Sequence, residues 1–138
     1  MNNLDKESVT SIAALLVHAA KIDEQYSKNE KMLIKEFIKS YLNNDDSEKI
    51  LIKAEEIEQN SNQLLNYTDS IKKNSIEVKS DVIEHLWKII ISDKTVDQYE
   101  SNLMRRICGL IYFPDKMCGE IKLKLQNKKW LILLKMNV

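Results

Sequence analysis

The sequence predicts an all-α bundle of about seven helices containing two repeated helix-loop-helix hairpins. Three observations carry that prediction: few chain-breaking residues, apolar side chains recurring every three or four positions, and an internal repeat at an offset of 70 residues. Only two glycines and one proline stand among 138 residues, of which 43% are hydrophobic. Hairpin turns, phosphate-cradling loops and dinucleotide fingerprints need glycine where φ is positive or a ligand approaches the backbone. Gly109 and Gly119 cannot supply such a set, which excludes all-β, Rossmann and P-loop architectures. The length suits a single domain over 1–138 with apolar material for one core.

Asp5 caps a first helix whose Val9, Ile12, Leu16, Ala19 and Ala20 share one face; Ala13 and Leu15 widen the stripe enough to predict near-complete burial. A second helix carries Leu33, Ile34, Phe37, Ile38, Tyr41 and Leu42. Asn43 to Ser47 is a turn with ready N-caps for a third helix, which turns Ile50, Leu51, Ala54 and Ile57 inward. Asn60-Ser61-Asn62 ends it, and Leu64, Leu65, Tyr67, Thr68 and Ile71 mark a short fourth. Asn74 and Ser75 introduce a fifth helix with Val78, Val82, Leu86, Ile89 and Ile90, flanked by Ile83, Trp87 and Ile91, a width that predicts burial on more than one side. Leu103, Met104, Ile107, Cys108, Leu110 and Ile111 mark a sixth. Phe113-Pro114-Asp115 stops and restarts the chain, since proline suits a helix start and not its interior. A seventh helix then uses Met117, Ile121 and Leu125. The apolar run Trp130 to Leu134 in the apolar-basic tail 127–138 fits a last helical turn on the core best; an extended segment or a docking strip are its alternatives.

Twenty-one basic residues balance twenty-one acidic ones, so no net field gathers nucleic acid or an anionic membrane. The six lysines after Pro114 read as a solvated helix face, without the arginines and aromatic residues of a nucleic-acid surface. Cys108 and Cys118 lack zinc-type spacing and are expected reduced and buried. His18 and His85 lie among apolar helix residues and are expected to be packed and hydrogen-bonded. The start MNNLDKES has no export signal and no apolar run approaches the length of a membrane span, which predicts a cytoplasmic protein.

The repeat superposes Asp23 on Asp93, Ser27 on Asp97, Glu30 on Glu100, Leu33 on Leu103 and Phe37 on Ile107. Ser27-x-x-Glu30 and Asp97-x-x-Glu100 are capping boxes, preceded by Tyr26 and Val96 to pack onto the first turn. Capping leaves Asp23 and Asp93 unexplained. Each follows a helix C-terminus, where the dipole disfavours a carboxylate by a few tenths of a kcal/mol. Either both form Asx-turns, or aspartate, cap and glutamate oxygens converge on a hard divalent ion.

The two segments, Ala20-Lys21-Ile22-Asp23-Glu24-Gln25-Tyr26-Ser27-Lys28-Asn29-Glu30 and Ile90-Ile91-Ser92-Asp93-Lys94-Thr95-Val96-Asp97-Gln98-Tyr99-Glu100, resemble the acidic loops of the tellurite-resistance TerB family of small helical domains, also found in membrane-anchored DnaJ-like co-chaperones. Leu64 to Thr68 and Glu84 to Lys88 resemble that family's central segment and the helix before its second loop, so the resemblance covers about 4–126. It implies a bundle whose paired loops bind a divalent metal, with Asp23, Ser27, Glu30, Asp93, Asp97 and Glu100 as ligands and calcium or magnesium as the ion. It further implies a non-enzymatic stress-response module with a protein partner, in assemblies that are often membrane-proximal. Glu24 and Lys94 replace the family's loop glycine, and Ser27 stands where the second loop has Asp97, so the two sites are expected to differ in strength. Two other readings are a metal-dependent hydrolase using the same carboxylates and a structural protein that forms a homodimer through the fifth helix or the tail.

Overall fold

The computed structural model describes residues 4–22, 26–42, 46–61, 65–91 and 98–136, with side chains left out at 98–99 and from 128 onward. Seven helices run in order: α1 Lys6–Lys21, α2 Lys28–Tyr41, α3 Ser47–Gln59, α4 Leu65–Lys72, α5 Ile76–Ile91, α6 Gln98–Leu110 and α7 Asp115–Met136. No strand occurs among the described residues. The all-α bundle expected from sparse glycine and helical spacing is the fold observed.

The first helix lies at the centre. Asp5 starts it by accepting from the Ser8 amide at 2.7 Å. From Val9 to Ala20 every residue except the partly exposed Ser11 and His18 is buried. Helices α2, α3, α4 and α5 all pack against α1. Alanines 13, 14, 19 and 20 have little side chain to hold neighbours away, so those helices can approach closely. The second broad stripe behaves as its width predicts: α5 contacts α1, α2, α4 and α7, and burying each of its large aliphatic side chains stabilises by about 1.5–3 kcal/mol.

Local polar devices set the corners. Ser75 receives the Val78 amide at 3.3 Å as the cap of α5. The fully buried Tyr67 donates its hydroxyl to the Ser61 carbonyl at 2.6 Å, tying α4 to the end of α3. Two expectations change. Asp46, at the cap of α3, makes no side-chain cap bond, while Asn43, Asn44 and Asp45 lie outside the described residues. Leu65 is 53% exposed because α4 is only eight residues long and turns Tyr67, Thr68 and Ile71 inward instead. Leu64 lies outside the described residues.

The stop at Phe113-Pro114 takes a specific form. Phe113 N–H bonds the Cys108 carbonyl at 2.8 Å and Tyr112 N–H reaches the Gly109 carbonyl at 3.4 Å, the paired bonds of a Schellman C-cap. Tyr112 has φ of 60°, the left-handed conformation in which glycine is usual. Its ring is exposed, with Lys72 Nζ 4.9 Å from the centroid. Pro114 contributes its carbonyl to the Cys118 amide, and α7 continues without interruption to Met136. The run Trp130 to Leu134 is therefore helical and not an extended segment; its side chains lie outside the described ones.

Two substitutions test this corner. Left-handed geometry costs an L-residue about 1–2 kcal/mol, and glycine gives back about 0.5–1 in chain entropy. Tyr112→Gly is thus expected to raise stability by up to about 1 kcal/mol in urea titration. Gly109 is helical, with no heavy atom within 4 Å of an added Cβ, so Gly109→Ala should raise the urea midpoint by about 0.5–1 kcal/mol of stability.

Candidate metal-binding loops and a carboxylate-histidine cluster

The first acidic loop is held at both ends. At its entry, Ile22 N–H bonds the Ala19 carbonyl and closes α1. At its exit the expected capping box is present in both directions: Ser27 Oγ accepts the Glu30 amide at 3.3 Å and Glu30 Oε1 accepts the Ser27 amide at 2.8 Å. Tyr26, one residue before the cap, packs against the core, and Lys31 Nζ sits 4.9 Å from its ring centroid. The contact that fixes chain entry is therefore a cation over an aromatic face in the position of a hydrophobic staple.

Below this loop the surroundings are acidic. Burial first, then Glu55, Glu30 and Glu58, push the Tyr26 hydroxyl up and keep it protonated. Lysines balance the carboxylates: Lys21 Nζ lies 2.9 Å from Glu58 Oε1 and Lys31 Nζ 3.9 Å from Glu55 Oε2. His18 Nδ1 is 3.3 Å from Glu58 Oε2, so the first histidine has the hydrogen-bonded structural role its sequence context suggests. Glu58 thus joins the C-terminal turn of α1 to α3.

Of the six residues expected to ligate metal, Ser27, Glu30 and Glu100 are described; Asp23, Asp93 and Asp97 lie outside the described residues. Glu30 and Glu100 occupy matching places in the first turns of α2 and α6 and are 3% and 4% exposed. Ser27 and Glu30 are brought together by the cap, and Glu30 Oε1 is engaged there.

A different group converges in α5. Asp81, Glu84 and His85 each place one potential ligand atom within 4.8 Å of the others. The i, i+3, i+4 spacing puts all three on one helix face, a signal present in the sequence but masked there by the apolar stripe in which His85 sits. Asp81 and Glu84 line an open groove of about 500 Å³ whose other wall includes Met117, Ile121 and Lys124 of α7. Tyr41 of α2 donates to Asp81 Oδ2 at 2.7 Å, and His85 Nδ1 faces both the Asp81 carbonyl at 2.9 Å and its Oδ1 at 3.3 Å. Phe37 meets the imidazole edge-on at a centroid distance of 5.2 Å. The chemistry of two carboxylates and an imidazole suits a divalent cation. In this structure Nδ1 is turned to Asp81, so the cluster serves first as a brace between α2 and α5.

Burial opposes the charged forms of both members of this pair, and their mutual contacts outweigh it. For Asp81, burial raises the pKa, but the His85 and Tyr41 hydrogen bonds bring it below 3.8; for His85, burial lowers it, but the Asp81 bonds bring it above 6.5. The histidine contribution to stability is complete below pH 6.5 and lost as pH rises through the raised value. The aspartate contribution is complete above pH 3.8 and lost as pH falls through the lowered value. Asp81→Asn should therefore destabilise more at pH 5.5 than at pH 8.5, as read by urea titration at both. Glu30→Ala removes the partner of the Ser27 amide and should cost about 1–2 kcal/mol in the same measurement.

A helical bundle with a capped, acidic hairpin loop at its first turn and a matching buried glutamate 70 residues later defines a class of small all-α domain. The family model of the tellurite resistance protein TerB matches residues 10–123, and the chain belongs to that family. No curated protein and no solved structure matches the chain significantly. Among the described residues no helix is long and apolar enough to cross a membrane.

Proposed function

We propose that this chain is a non-enzymatic stress-response module that takes up calcium or magnesium at its two acidic loops and docks a protein partner when loaded. The observation that carries the reading is the pair of buried glutamates, Glu30 and Glu100, at equivalent positions of the repeat. Each stands in the first turn of the helix that follows an acidic loop, and Glu30 Oε1 accepts the Ser27 amide. Asp23 and Asp93 would add an oxygen to each loop, and Ser27 and Asp97 a further one, the hard donors that both ions prefer. Membership of the TerB family supports the same assignment. An ion bridging the end of α1 to the start of α2 would fix these two helix ends to each other before a partner docks.

Amide NMR spectra recorded during calcium and magnesium titrations test this. The expected result is saturable shifts at Asp23 and Asp93 with Kd of about 0.1–1 mM, abolished in the Asp23→Asn, Asp93→Asn double variant. Shifts confined to Asp81, Glu84 and His85 would place the ion in the α5 groove and reject the loops; no shift at millimolar ion rejects metal binding altogether.

A further inference from the structure

Helix α7 forms one wall of the groove beside α5 and then continues past it. The two helices run antiparallel: Trp87, near the end of α5, donates to Cys118 Sγ at 3.3 Å, whereas Ile76 and Glu77, at its start, share the groove with Lys124. At a common rise of about 1.5 Å per residue, the start of α5 lies level with about position 129 of α7. The helix stays unbroken to Met136. Its last turns, Trp130-Leu131-Ile132-Leu133-Leu134-Lys135 in sequence, therefore extend beyond the start of α5.

The groove has two unlike walls. Glu77, Asp81 and Glu84 follow at i, i+4 and i+7 along α5 and make one acidic row, with the exposed Ile76 at its foot. Met117 and Ile121 make the α7 wall apolar, and Lys124 adds a single cation, so the lining is net negative. Asp81 is engaged by Tyr41 and His85, while Glu77 and Glu84 form no ion pair with any described residue. Carboxylates beside apolar surface fit a helix that carries lysines beside apolar side chains.

We propose that the occupant is a second copy of this chain: the segment 128–135 of each α7 lies in the other copy's α5–α7 groove, giving a two-fold dimer. A chain's own segment cannot enter its groove, because it prolongs the groove's wall in an unbroken helix. Lys128 and Lys135 are seven residues apart, as are Glu77 and Glu84, so both pairs are spaced by about two helical turns and match in one register. Leu131 and Ile132 fall between the two lysines, beside the apolar wall. That register sets the incoming helix parallel to α5 and antiparallel to α7, with the two α7 helices crossing at about position 128, where α5 ceases to cover them. The crossing point is the two-fold axis. Both grooves fill at once and the contact closes.

One helix segment in each groove is a small contact, so the dimer is expected to dissociate on dilution. Sedimentation velocity of the full chain over about 5–200 μM should show dimer at the upper end, and its Kd should rise at least tenfold in high salt. These two readouts need no variant. The Glu77→Lys, Glu84→Lys double variant and the Lys128→Glu, Lys135→Glu double variant should each associate at least tenfold more weakly, with circular dichroism showing both folded. An equimolar mixture of the two should dimerise again, because each reversed groove then meets a reversed segment. A wild-type monomer throughout that range, a dimer insensitive to salt or to either double reversal, or a mixture no more associated than its components would each overturn the assignment. So would a monomer that binds phosphatidylglycerol–phosphatidylcholine vesicles through Lys128 and Lys135, which gives the segment to a lipid surface.

Discussion

Everything in this bundle leans on α1. A helix covered by four others must present small side chains where neighbours cross and large ones where gaps remain, and alanines 13, 14, 19 and 20 among Val9, Ile12, Leu15, Leu16 and Val17 meet that demand. The C-terminal end of α1 leads into the first acidic loop, and the C-terminal end of α5 leads towards the second. Because α1 and α5 pack directly against each other, one apolar contact sets the positions from which both loops depart.

Polar contacts are then added at the edges of that contact, where each has a partner across an interface. Glu58 holds Lys21 and His18 of α1 from α3, and Asp81 holds Tyr41 of α2 from α5. These bonds bring little net stability on their own, but breaking one leaves a partly buried charge or donor unmatched. They therefore specify which helices meet as much as how strongly. The Glu58 contacts lie at the C-terminal turn of α1, the end from which the chain passes to α2.

Much of this was legible in the residues. The stripes of α1 and α5 announced their burial, Asp5 and Ser75 announced their helices, and Ser27-x-x-Glu30 announced a box that forms as written. What escaped notice depends on the third dimension or on an atypical residue. The closing turn of α6 carries tyrosine where glycine would have signalled it. Asp81 gains its meaning from Tyr41, forty residues earlier. Asp23 and Asp93, the residues the repeat singled out, are the part of the site for which sequence remains the sole guide.

The left-handed Tyr112 and the helical glycines Gly109 and Gly119 all belong to the α6–α7 corner, and neither glycine is required by a crowding neighbour. Each subtracts from the local free energy that holds amides closed, while α1 has no such interruption. Native-state hydrogen exchange would accordingly run in a gradient, slowest through α1 and fastest through the last two helices.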